Sequence, residues 1–458
     1  MPVMTTVSIA QAIRERDKAA LTSALGALSG FEIAELMANR IEEDQAFIFQ
    51  ALPPALAAET FEYLSLRSQK KVLHALSTKA LADILEAMAP DDRTALLQEL
   101  PDAIVDEYLK LLPGQERSLA ITLLGYPKDS VGRLMTPDYL AVKMNWTVER
   151  VLQHIRAYGH DSETINVIYV VDDHDRLIDD INIKDLLFVP PAYTVSQITD
   201  RKFVALSVND KAEKAILLFK EYDRVALPVV DEQGTLRGIV TVDDILRLAS
   251  EKNTANVQRI GGTEALDEPY MQTPFLHLMK KRARWLILLF LGEMFTATAM
   301  GFFEGEIAKA VVLALFLPLI ISSGGNAGSQ SSTLIIRALA LGELKIGDWF
   351  RILRREISSG LFLGCVLGVI GFARVTIWSS VSSIYGAHWL LIAITILLAL
   401  IGVVFWGSTA GAMLPLILKR YGVDPAVASA PLVATLVDVT GIVIYFLIAL
   451  VVLRGTLL

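Results

Sequence analysis

Residues 431–453 read PLVATLVDVTGIVIYFLIALVVL, a run of twenty-three with one charged side chain, Asp438. As a helix rising about 1.5 Å per residue, such a run spans the roughly 30 Å hydrocarbon core of a bilayer. Four more apolar runs precede it, at 285–303, 307–334, 356–378 and 389–418. A buried helix of a soluble core can imitate one such run, but five in succession argue for five crossings. Basic residues give the orientation. Lys281, Arg282 and Arg284 precede the first run; Arg337, Lys345, Arg351, Arg354 and Arg355 fill the second connection, and Lys419 and Arg420 the fourth. Only Lys309, Arg374 and Arg454 fall on the other side, ten against three. The positive-inside bias therefore puts the N-terminal half in the cytoplasm and the C-terminus outside.

Composition divides the 458 residues in the same place. The chain is 53% hydrophobic and 20% charged, with a mean hydropathy of +0.47, too apolar for an ordinary soluble enzyme. Residues 1–280 carry 29 Lys and Arg against 42 Asp and Glu, whereas 281–458 carry 13 against 8. An acidic soluble half would repel phosphate, so no nucleic-acid partner is expected. Cys365 is the only cysteine, which excludes a disulfide scaffold. The first thirty residues lack an apolar core behind a basic flank, so no signal peptide is expected. No triad, P-loop or metal-hydrolase spacing points to an enzyme.

From about 25 to 125, short helical patterns alternate with Pro-, Ser- or Asp-rich corners, such as Pro53-Pro54 and Pro90-Asp-Asp92. Leu81, Ile84, Leu85 and Met88 stand at helical spacing, and the recurring unit suggests a superhelix of stacked short helices. From Val131 the pattern becomes two copies of helix, strand, turn, strand, helix, which resemble paired CBS domains. The second copy carries Gly238-Ile-Val-Thr-Val-Asp-Asp244, close to the motif by which such domains hold a nucleotide ribose and phosphate. Thr241 and Asp244 are thus candidates for adenine-nucleotide binding, with ATP as the ligand. The bland alternative is that they cap the following helix. The first copy reads Asp179-Asp-Ile-Asn-Ile-Lys-Asp185, without glycine or hydroxyl. The expected organisation is an α-helical N domain at 1–130, tandem α/β CBS domains at 131–250, a connecting, plug-like helix at 251–284 and a five-helix pore domain at 285–458.

Ionisable groups at membrane depth are costly and default to function. Asp438 shares a helical face with Thr435 and Gly441, and no basic residue lies well inside an apolar run to pair with it. A carboxylate without a basic partner suits a cation. The second run is expected to break at Pro318 and the glycine- and serine-rich 322–333, freeing carbonyls to face a cavity; close helix packing is the structural alternative. Glu293 lies in the first run without an obvious partner, and Glu356 opens the third beside Arg354 and Arg355. Carboxylate with neutral oxygens and few soft ligands disfavours zinc and copper. Mg2+, which keeps its waters and touches one or two carboxylates, fits if a second chain supplies another Asp across a two-fold axis. Chemistry alone leaves Ca2+, Mn2+ and Co2+ open.

These residues also match a family. GGNAGSQSSTLIIRALALGE (324–343), DPAVASAPLVATLVDVTG (424–441) and YPKDSVGRLMTP (126–137) resemble the signatures of MgtE-type magnesium transporters, in the same domain order over nearly the whole chain. The resemblance implies a homodimeric, channel-like magnesium transporter of the inner membrane. The second and fifth helices would line the ion path at the dimer interface. Asp438 would bind hydrated Mg2+, with Ala434 and Gly441 nearby, and Thr333 and Glu356 would match positions of the pore and its surroundings. Regulatory Mg2+ bridging acidic cytoplasmic faces would hold the pore shut; Asp83, Asp91, Asp92, Asp243 and Asp244 are the candidate sensors here. The chain departs from the pattern at Ser329 and Ala430, where many relatives carry Asn, and at 247–257, which keeps one acid, Glu251. Fewer carboxylates imply weaker repulsion to relieve. The rival readings are a broader divalent-cation transporter and a membrane-anchored CBS nucleotide sensor.

Overall fold

The computed structural model describes residues 2–38, 40, 42–266, 269–271 and 273–457. The chain divides into two units, Met1–Ser250 and Glu251–Leu458.

The first unit opens with a series of short α-helices from Pro2–Glu15 to Gly114–Gly125. Their lengths follow from their corners. Ser77 accepts from the Ala80 amide at 3.3 Å to start Thr78–Ala87, and Pro90 occupies the first turn of Pro90–Leu97, where a missing N–H costs nothing. Leu81, Ile84, Leu85 and Met88 are buried as their spacing requires. Arg93, fully buried, is held by the Leu85 carbonyl at 3.0 Å and by Glu116 at 2.5 Å.

Two three-stranded sheets follow. In the first, β1 (Ala141–Lys143) runs parallel to β2 (Val167–Val171), which pairs antiparallel with β3 (Leu177–Asn182). The second repeats this with β4 (Leu206–Ser207), β5 (Ala226–Val230) and β6 (Leu236–Thr241). β2 is buried along its whole length, which explains its unbroken apolar reading, VIYVV. Each copy bulges at the matching place, between Val170 and Val171 and between Val229 and Val230.

The expected connecting helix over 251–284 is instead two helical pieces. The helix after β6 runs Val242–Ile260; a turn at Gly261 and Gly262 ends it, and the first membrane helix starts at Phe275, well ahead of residue 285. Gly262 has φ +72°, and a Cβ there would lie 2.8 Å from Trp285 Nε1 and 2.9 Å from Pro431 Cγ, so both backbone and space call for glycine. The short helix end is tied to the membrane unit: Arg259 pairs with Asp424 at 2.6 Å, Arg284 pairs with Glu264 at 2.6 Å, and Ile260 packs beside Ile336, Ala426 and Ala428.

Among the described residues, five helices are long and apolar enough to cross a membrane: Phe275–Phe302, Val311–Ala340, Ile346–Ser379, Trp389–Arg420 and Ala430–Leu453. The second corrects an expectation. It is continuous through the glycine-rich stretch, from Leu317 to Ala340, with Pro318 in its first turn rather than at a break. The glycines serve packing. A Cβ on Gly407 of the fourth helix would overlap the Gly324 carbonyl, and one on Gly411 the Gly328 carbonyl. Two backbones meet there, as small residues permit.

Candidate functional site

Within the membrane unit, the Ala430–Leu453 helix carries Asp438. Its position is fixed by packing on both sides. Val437 and Gly441 are buried, with the Gly441 Cα side against Val403 and Ile321, while Asp438 and Ala434 look toward Gly325 of the second helix. A Cβ on Gly325 would lie 3.5 Å from Asp438 Oδ1 and 3.6 Å from Ala434 Cβ. Among the described residues Asp438 makes no hydrogen bond or ion pair. Glu293 of the first helix acts on it electrostatically, and its neighbour Gly292 approaches Thr435 so closely that a Cβ would sit 2.9 Å from Thr435 Cγ2. Glu293, unpartnered in the sequence, is thus a second carboxylate near the first.

The other membrane candidates lie elsewhere. Glu356 accepts from Ser331 Oγ at 2.7 Å and makes no ion pair with the adjacent Arg354 or Arg355 among the described residues. Thr333, half-buried, is eight residues beyond Gly325, about 12 Å along the helix. The two departures from the family pattern prove to be partners. Ser329 Oγ donates to the Ala430 carbonyl at 3.0 Å, and Ser332 Oγ to the Ala428 carbonyl at 2.6 Å. Hydroxyls of the second helix thereby hold the start of the fifth, eight residues before Asp438.

In the first unit, Asp91, Asp92, Asp243 and Asp244 come together, joined by Glu62 and Glu163, which charge patterning in the sequence did not single out. Arg247 stands among them, 3.1 Å from Asp92 and in a short ion pair with Asp244. Asp91 is only 7% exposed and its Oδ1 has no hydrogen-bond partner. Burial, then the charge of Asp92, pushes Glu62 up to about 8. Burial, then Asp92 and Asp244, holds Asp91 well above the usual carboxylate range. Burial also raises Asp92 against the pull of Arg247, and raises Glu163 with the help of Asp244. The cluster is therefore short of positive charge. Even so, no three His, Cys, Asp or Glu side chains among the described residues stand close enough to ligate one metal ion directly. Asp83 lies apart, lining a cleft with Lys18, Phe49 and Gln50.

Thr241 ends β6 and Asp244 lies in the first turn of the next helix; Thr241 Oγ1 donates to Asp244 Oδ2 at 2.9 Å. The two nucleotide candidates are thus adjacent, and Asp244 also serves Arg247.

Among the described residues, a helical domain and a CBS pair are followed by five helices of membrane length, the last carrying a carboxylate without a hydrogen bond or ion pair, an organisation that fits a membrane transporter for cations. Comparison with known proteins agrees. The model of a divalent cation transporter, MgtE, matches 317–448; that of the MgtE intracellular N domain matches 28–129, and the CBS domain matches 131–191 and 195–251. The magnesium transporter MgtE of Thermus thermophilus is 37% identical over 455 residues, 97% of each chain. That of Bacillus subtilis is 28% identical over 418 residues, 89% of this chain and 90% of that one. A crystal structure of the cytosolic domain of the Mg2+ channel MgtE in complex with ATP, 36% identical, superposes with a TM-score of 0.51 over 53% of this chain and 99% of that one. The chain belongs to the MgtE family of magnesium transporters.

Proposed function

We propose that two copies of the chain form a channel-like pathway through the inner membrane, with the N-terminal half in the cytoplasm and the C-terminus outside. Hydrated Mg2+ passes Asp438 along the interface between the two copies, which the second and fifth helices line. The observation that carries this is the Asp438 carboxylate, unpaired among the described residues and facing Gly325. A carboxylate at membrane depth costs about 2.5–3.5 kcal/mol on insertion scales, and a passing cation offsets it. One Asp per chain suits an ion that keeps most of its water, and a second chain doubles the charge. Ala434 leaves room beside Asp438 on the same helix, while Gly441 packs against Val403 and Ile321; Thr333 and Glu356 support the path farther along.

The cytoplasmic cluster of Glu62, Asp91, Asp92, Glu163, Asp243 and Asp244 is the regulatory site in this reading. Divalent ions held there through water relieve its repulsion and keep the pore shut; their loss opens it. Arg247 already supplies one positive charge, so magnesium control is weaker than in a cluster of acids alone. Asp83 has no part in it.

The test is Mg2+ entry into proteoliposomes holding the full chain, with Asp438→Ala and Asp438→Asn beside wild type. Loss in both variants with unchanged dimer content supports the reading; entry in both refutes the role of Asp438. Absence of wild-type entry at low internal Mg2+ refutes transport. Competition by Mn2+ or Co2+ separates a magnesium path from a broader divalent one. ATP at the CBS pair is a second ligand favoured by the relative solved with it. Binding is expected to fall in Thr241→Val if Thr241 and Asp244 hold the ribose and phosphate.

A further inference from the structure

The third membrane helix, Ile346–Ser379, ends in arginine at both sides of its apolar stretch. At one end Arg351, Arg354, Arg355 and Ser358 recur at helical spacing and share a face. With Phe350 and Ser359 they line a groove of about 480 Å³. Arg354 and Arg355 have no acidic partner among the described residues, and Arg351 reaches only Asp348, at 3.8 Å and 86% exposed. Three guanidinium groups thus converge on open space. Ser358 donates to the Arg354 carbonyl at 3.0 Å, which keeps its oxygen beside them.

Beyond Ser358 the same face turns apolar. Phe362, Val366, Val369 and Ile370 are all exposed, in line with the arginines and at one-turn intervals. At the far end Arg374 lies 3.9 Å over the Trp378 ring, an interfacial anchor. Arg374 lies nineteen positions beyond Arg355, about 28 Å of helix and close to the hydrocarbon thickness. The three arginines therefore stand at headgroup level, with exposed Trp349 and Phe350 beside them, on the side where basic residues concentrate.

We propose that Arg351, Arg354 and Arg355 bind the phosphate headgroup of an anionic phospholipid whose acyl chain lies along Phe362, Val366 and Val369. Planar guanidinium groups grip phosphate oxygens in pairs, and the summed positive charge selects a net anionic headgroup over a zwitterionic one. The apolar stripe leading away from the groove selects a lipid over a soluble phosphate, which would leave those side chains uncovered.

The test is native mass spectrometry of the full chain, released from detergent after incubation with equal dioleoyl phosphatidylglycerol and dioleoyl phosphatidylcholine. Wild type is expected to retain the glycerol lipid at least tenfold over the choline lipid. Each arginine near an anionic lipid contributes about fivefold, so R351Q/R354Q/R355Q should bring the ratio close to one. The control K419Q/R420Q removes charge from another cytoplasmic loop and should leave the preference intact. Equal retention of both lipids by wild type overturns the proposal, and so does an equal loss in the control, which would mean bulk charge attraction. Displacement of the lipid by inorganic phosphate at 10 mM overturns it in favour of a soluble anion. Should the triple variant fail to purify, R354Q and R355Q alone must each lower the ratio; no change in either overturns the site.

Discussion

Replacing Arg247 by alanine tests how the cytoplasmic cluster is held together. The guanidinium touches Asp92 at 3.1 Å and also pairs with Asp244, and Glu62, Asp91 and Glu163 act on the same cluster. Exposed ion pairs contribute up to about 1 kcal/mol each, and removing one partner of a fully buried pair costs about 3–5 kcal/mol. Arg247 is 46% exposed while Asp92 and Asp244 are 18% and 14% exposed, so the two pairs together contribute roughly 2 kcal/mol after screening. That corresponds to about 30-fold in the opening equilibrium. Hydrogen exchange of the full-length protein without divalent ions should therefore speed up about 30-fold in peptides covering 88–97 and 242–250. Millimolar Mg2+ should restore protection. The pH dependence has a definite sign. Glu62 is raised to about 8 in the folded protein from an ordinary 4.5, so the folded cluster holds more protons than the unfolded chain. Its stability is full below about 4.5 and is lost as pH rises through about 8. Raising pH from 6 to 8.5 without Mg2+ should loosen the cluster, and more so in the variant. Wild-type protection in Arg247→Ala would refute the electrostatic account. Lost protection that Mg2+ fails to restore would refute the cluster as a magnesium site.

Three further outcomes follow from packing. Gly411→Ala drives a Cβ into the Gly328 carbonyl and should cost about 3 kcal/mol, read as a lower Tm of the full chain; Gly305→Ala, with nothing within 4 Å, should leave Tm unchanged. Glu116→Ala strands the buried charge of Arg93 and should cost about 3 kcal/mol, with the loss of protection confined to the helices around Pro90–Leu97 in hydrogen exchange. Ser329→Ala removes the bond to the Ala430 carbonyl and should cost about 1 kcal/mol. Faster exchange at the start of the fifth helix is its signature, and unchanged exchange there would show that the bond holds nothing.

What the sequence revealed, and what it hid, divides along one physical line. Features set by each residue's preference for its solvent were legible: five apolar runs, an acidic half before them and a lone carboxylate within the fifth run. Helix limits were less so, because a helix continues wherever backbone bonding does. Residues 275–284, FLHLMKKRAR, look like a polar linker by charge, yet Leu, Met, Lys and Arg are good helix formers and extend the first membrane helix backward to Phe275. The glycine-rich stretch looked like a break because glycine weakens an isolated helix. Packed against Gly407 and Gly411, the same absence of a side chain becomes the reason the helix fits. Pairings across the fold were hidden altogether. Ser329 and Ala430 stood out separately as departures from a family pattern, and only their 3.0 Å hydrogen bond across 101 positions makes them one feature. Arg247 is the sharper case. In the sequence it only opens a segment poor in acids, whereas beside Asp92, 155 positions earlier, it is a fixed cation inside the acidic cluster. The deficit of acids and the arginine then act in the same direction: part of the negative charge of the cluster is neutralised by the chain itself.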